Sequence, residues 1–181
     1  MPRWTIAFVH TIDRLNYRVG RFAMYLLFVL MAVLMWSAIA KNAFTPSLWT
    51  LEMAQFVMVA YYILGGPYSM QLGSHVRMDL FYARGSLRQK AWTDAFTVFA
   101  LLIYLGVMIW GAADSLAYAL QLKWPDDSLL PHIGRLERSA TAWRPQMWPI
   151  KTILFIGFVL MFLQSLTYLI RDIAIIRGKE I

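Results

Sequence analysis

Four long apolar runs constrain this chain more than any other feature. The first, Phe22 to Ala40, is uncharged, with Ser37 as its only serine or threonine. The second, Met53 to Leu72, is also uncharged and carries Gln55, Ser69 and Gln71 towards its ends. The third, Ala95 to Ala113, lies between Asp94 and Asp114, and the fourth, Ile153 to Ile170, between Lys151 and Arg171. A bilayer core about 30 Å thick takes roughly 20 helical residues to cross. A chain of 181 residues cannot supply enough surrounding protein to bury four such helices in a soluble core. It is 60% hydrophobic and 15% charged, against about 45–50% and about 25% in a soluble domain. The expected fold is therefore an all-α membrane protein with four transmembrane helices, spanning about 22–40, 53–72, 95–113 and 153–170. These form a single integral membrane domain over 1–181.

The first run could be taken for a secretory leader, since Ala38-Ile39-Ala40 looks like a small-residue cleavage site. But it is longer than a leader's apolar stretch of about 7–15 residues, and a polar, basic tail precedes it. It reads as a retained span. The tail from Trp4 to Val19 places Ile6, Val9, Ile12, Leu15 and Val19 among Arg14 and Arg18 at near-helical spacing. That pattern predicts an amphipathic segment lying on the membrane surface before the first span.

Lysine and arginine set the orientation. Eleven fall in the N-terminal tail, the connection after the second span and the C-terminal tail, against six in the other two connections and their flanks. The excess of base expected on the cytoplasmic side puts both termini in the cytoplasm. The net charge of +7 reads as topology signals and headgroup contacts, not as a nucleic-acid surface. The short stretch Lys41–Leu48 predicts an antiparallel hairpin of the first two spans. Gly65-Gly66-Pro67 in the second span predicts a kink or a close helix contact, because proline removes a backbone hydrogen bond and glycine admits a neighbouring backbone. The connection Lys123–Pro149 is too proline-broken for one long helix. Its Trp124, Trp143 and Trp148 suit a membrane interface.

Chemistry-bearing residues are scarce. The chain has no cysteine, which excludes disulfides, thiolate metal sites and cysteine nucleophiles. Glu52 and Asp114 sit at the ends of spans, and Glu52 falls in a first helical turn, where the helix dipole favours a carboxylate. His10, His75 and His132 lie outside the apolar runs, so none is placed as a haem ligand in a bundle. No catalytic residue, metal ligand set or cofactor site is read from the sequence. His75, Arg77 and Asp79 fall close together in "GSHVRMDLFYARGSLRQK", residues 73–90. On a helix His75 and Asp79 share a face and Arg77 points elsewhere; in an extended segment all three share one. With Leu80, Phe81, Leu87 and Trp92 interleaved with base, the stretch reads best as an amphipathic interfacial segment between the second and third helices.

The stretch "LWTLEMAQFVMVAYYILGGPYSMQLGSHVRMDL", residues 48–80, resembles the small membrane subunit of tripartite ATP-independent periplasmic (TRAP) transporters, the DctQ-like family. The likeness rests on Trp49 and Glu52 opening the second span, on Gly65 and Gly66 near its end, and on His75, Arg77 and Asp79 after it. Pro67 departs from the small residue expected there. "SATAWRPQMWPIKTILFIGFVLMFLQSLTYLIRDI", residues 139–173, is similar to the start of the family's fourth span through Trp143, Pro145, Trp148, Pro149, Lys151, Gly157 and Gln164. The resemblance implies a scaffold subunit in the bacterial inner membrane. It would be partnered by a large membrane subunit carrying substrate and sodium, and by a periplasmic binding protein delivering a carboxylate-bearing solute. Arg135, Glu137, Arg138 and Arg144 are then candidate contacts for that binding protein, the alternative being a loop that touches only lipid and the large subunit. From the residues alone, two other classes stay open: a small homo-oligomeric exporter or channel lined by Glu52 and Asp114, and a quinol- or haem-linked anchor.

Overall fold

The computed structural model describes residues 3–73, 87–123, 132–133 and 136–176. Four long helices dominate them: α1 (Arg3–Ala43), α2 (Thr50–Gln71), α3 (Leu87–Leu120) and α4 (Trp148–Ile176). A two-residue antiparallel ribbon, β1 (Leu122–Lys123) with β2 (His132–Ile133), follows α3 and pairs Leu122 with Ile133. Three helices are long and apolar enough to cross a membrane: Trp4–Ala43, Trp92–Leu120 and Trp148–Ile176. The remaining helix, α2, has 22 residues, about 33 Å at 1.5 Å per residue, but its tyrosines, glycines, glutamines and proline lower its hydropathy. The interfacial segment expected between the second and third spans lies outside the described residues.

Three of the helices, α1, α3 and α4, extend well past their apolar runs, whereas α2 nearly coincides with its own. The largest difference is at α1, which is a single helix of 41 residues with no turn between tail and span. The tail does not form a separate segment on the membrane surface. Its buried face is Thr5, Val9, Ile12, Asn16, Gly20 and Ala23, while Leu15 is exposed. These positions recur at three- and four-residue steps, so they form one stripe along the helix, composed largely of small and polar residues. The matching stripe on α4 is Gly157, Leu160, Gln164, Thr167 and Ala174. Small and polar residues let helices approach where apolar burial gives no net force.

Contacts define the directions. Ser37 meets Thr50 and Gly20 meets Tyr68, so α1 and α2 run antiparallel. Ile63 meets Gly157 and Met70 meets Tyr168, so α2 and α4 run parallel. The third helix packs on α4 through Leu105, Ala112 and Ala119, spaced seven residues apart, as a helix seam requires. It has no comparable contact with α1 or α2 among the described residues. The N-terminal part of α1 and the C-terminal part of α4 thus meet at one end, the termini end. Residues 44–49 turn the chain at the other, the hairpin end.

Candidate functional site

Two glycines set the closest approaches. At Gly20 a β-carbon would stand 2.2 Å from the Tyr68 Cβ and 2.3 Å from its Cγ. At Gly157 one would stand 1.9 Å from the Ile63 Cγ2 and 3.2 Å from the Ile63 carbonyl oxygen. That carbonyl lies four residues before Pro67, which has no N–H to bond it. The bare backbone of Gly157 therefore packs against the one α2 carbonyl that proline leaves free, and Pro67 itself is fully buried. At Gly66 a β-carbon would stand 3.1 Å from the Met161 sulfur, and at Gly65 one would meet nothing within 4 Å. The close contact expected of Gly65-Gly66-Pro67 is made by Gly66 and by the carbonyl before Pro67.

The termini end is tied by a buried polar cluster. The Asn16 amide donates to Gln164 Oε1 at 2.6 Å. Gln164 Nε2 donates to Asp13 Oδ1 and to Thr167 Oγ1, each at 3.1 Å. Thr167 Oγ1 donates to the Gln164 carbonyl at 2.8 Å, and Arg171 pairs with Asp13 Oδ2. Asn16, Gln164 and Thr167 are essentially unexposed, and Asn16 Oδ1 has no partner among the described residues. Tyr17 packs edge-on to Tyr68, with ring centres 5.8 Å apart, and the Tyr168 hydroxyl donates to the Met70 carbonyl. Of this cluster the sequence motifs pointed only to Gln164. Asp13, Asn16, Gly20 and Thr167 were missed; the available signal was their three- and four-residue spacing opposite the like stripe of α4.

The hairpin end has its own tie. Lys151, in the first turn of α4, donates to Glu137 Oε2 at 2.5 Å and to the Ser115 carbonyl of α3 at 3.4 Å. It also lies 5.6 Å from the centre of the Tyr118 ring. Glu137 N–H bonds the Ala119 carbonyl at 3.0 Å, which fixes the loop to the end of α3. From there residues 137–147 double back as a short hairpin. Ser139 N–H bonds the Pro145 carbonyl at 2.9 Å and Met147 N–H bonds the Glu137 carbonyl at 3.1 Å. Arg144 closes the turn in the left-handed region, φ 52. Exposed Arg138 and Arg144 share a pocket with Leu136 and Gln146, whereas Glu137 is turned in to Lys151. Trp148 Nε1 donates to Gln146 at 2.8 Å, and Pro149 sits in the first turn of α4, where a missing N–H costs nothing. Trp143 and Trp148 are both more than a third exposed.

Trp49 precedes α2 and Glu52 lies in its first turn. Glu52 is buried, with Oε2 lacking a partner among the described residues, while Asp114 is exposed on α3. The two carboxylates stand on helices, α2 and α3, that share no extensive contact among the described residues. His75, Arg77, Asp79 and Arg135 lie outside the described residues. Among those described, no three histidine, aspartate or glutamate side chains gather into a metal site.

What these helices define is a helical membrane protein built of close packing and cross-helix hydrogen bonds. Residues 30–175 match the family of tripartite ATP-independent periplasmic transporters, DctQ component. The chain belongs to that family, the small membrane subunit of TRAP transporters. No curated protein and no solved structure matches the chain.

Proposed function

We propose that this subunit is the static scaffold of a sodium-coupled secondary importer of a carboxylate-bearing solute. It sits in the bacterial inner membrane with four spans and both termini cytoplasmic. It works with a large membrane subunit that carries substrate and ion, and with a periplasmic binding protein. It performs no enzymatic step and needs no cofactor. The observation that carries the reading is the distribution of polar groups. Intramembrane transport chemistry uses ionisable side chains along a path; here no charged residue falls within the four apolar runs. Buried Asn16 and Gln164 bond α1 to α4, which suits a rigid brace better than a moving carrier. On this reading the hairpin end faces the periplasm, and Arg138 and Arg144 are the side chains placed to meet an acidic surface of the binding protein.

Reconstituted alone into vesicles, the chain should give no solute uptake and no ion conductance, and cross-linking should capture it with the large subunit and not as a closed homo-oligomer. Conductance or uptake by the chain alone would support a self-sufficient homo-oligomeric exporter or channel and overturn the scaffold reading.

A further inference from the structure

An open apolar cleft lies between α1 and α4 just beyond the polar cluster. It is lined by Val19 and Phe22 of α1, Ile153, Ile156 and Leu160 of α4, and Leu64 of α2, with Arg18 at its rim. Its volume is about 400 Å³, on the scale of one acyl chain. Six apolar side chains and one guanidinium make up the lining.

We infer that this cleft holds one acyl chain of an anionic glycerophospholipid whose phosphate lies against Arg18 and Arg14. Arg14, Arg18 and Phe22 follow one another at four-residue steps, so two guanidiniums and then an apolar ring lie along one face of α1. The two arginines are exposed and make no ion pair or hydrogen bond among the described residues, and the adjacent carboxylate of Asp13 is bonded to Gln164 and Arg171. Like charges four residues apart repel, and an anion between them turns that repulsion into binding. Charge thus precedes the apolar slot along the helix in the order of a lipid's headgroup and tail. The inference depends on the helices lying in a bilayer and not on the transport reading.

The test is native mass spectrometry of the full chain in detergent, with phosphatidylglycerol and phosphatidylcholine of identical acyl chains in equal amounts. Each arginine near an anionic headgroup contributes a factor of about five, so one phosphatidylglycerol should be retained with about 25-fold preference. Arg14→Gln with Arg18→Gln should abolish the preference, the corresponding pair of lysines should keep most of it, and Ile156→Trp should reduce retention of both lipids. Equal retention by the unaltered chain, or a preference that survives the glutamine pair, overturns the inference. So does release of the lipid when the large membrane subunit is added, which would assign the cleft to that subunit's side chains.

Discussion

Gly157→Ala and Gly20→Ala should each destabilise the chain by about 1–3 kcal/mol, the cost of forcing extra atoms into a packed contact. At Gly157 the added carbon meets the Ile63 Cγ2 at 1.9 Å, and the carbonyl of Ile63 stands behind it at 3.2 Å. Isoleucine in a helix has one strongly preferred χ1 rotamer, so the methyl cannot swing aside cheaply. At Gly20 the obstacle is the Tyr68 Cβ, 2.2 Å away, which no rotamer change moves. Both substitutions therefore act by separating helices. Thermal unfolding in detergent, followed by tryptophan fluorescence, should show both variants melting well below the parent. Gly65→Ala should melt with the parent, because nothing lies within 4 Å of its added carbon. Equal melting of all three variants would mean that α2 is not clamped between α1 and α4.

Gln164→Leu should cost a comparable amount, and a second substitution should recover much of it. Leucine leaves the Asn16 amide buried without its partner and removes one donor each from Asp13 and Thr167, although the Thr167 hydroxyl keeps its bond to the backbone carbonyl of residue 164. A buried polar group left unpaired costs about 1–3 kcal/mol. Hydrogen bonds between membrane helices average only about 0.6 kcal/mol in measured cycles, so the larger part of the loss is the stranded amide, not the bonds themselves. Asn16→Leu combined with Gln164→Leu replaces both partners with apolar groups, a change that is close to neutral when shape is kept. The double variant should therefore melt above the Gln164→Leu single variant. Asp13→Asn should matter less, because Arg171 is 36% exposed and half-solvated ion pairs contribute at most about 1 kcal/mol. Strict additivity of the two leucine substitutions would show that Asn16 and Gln164 are not coupled.

The apolar runs located the four long helices among the described residues because exposed apolar side chains outnumber packed ones. Phe28, Met31 and Met35 of α1, and Phe96, Phe99 and Trp110 of α3, are exposed and apolar. Such residues mark where a helix lies and say little about what it touches. The packing faces were harder to read for the same physical reason. In lipid they are made of Gly20, Asn16, Gly157, Gln164 and Thr167, residue types that a search for an apolar stripe passes over. The N-terminal tail shows the consequence. Its alternation of apolar and basic residues matched a surface helix, yet its small and polar face packs against α4 and α2. Lys151 was legible as a motif residue, but its tie to Glu137 depends on a loop that doubles back over 14 positions, which spacing does not reveal. The motif residues Trp49, Glu52, Pro145 and Pro149 proved to mark helix starts and the loop that leads into α4.

On the proposed reading, this chain braces a carrier without carrying anything itself. The direct measurement is solute uptake into vesicles that hold the large membrane subunit, with the binding protein outside and a sodium gradient, in the presence and absence of this chain. Uptake that requires all three proteins, together with none from this chain alone, is the predicted result. Undiminished uptake when the chain is left out, or uptake when the large subunit is left out, would contradict the account.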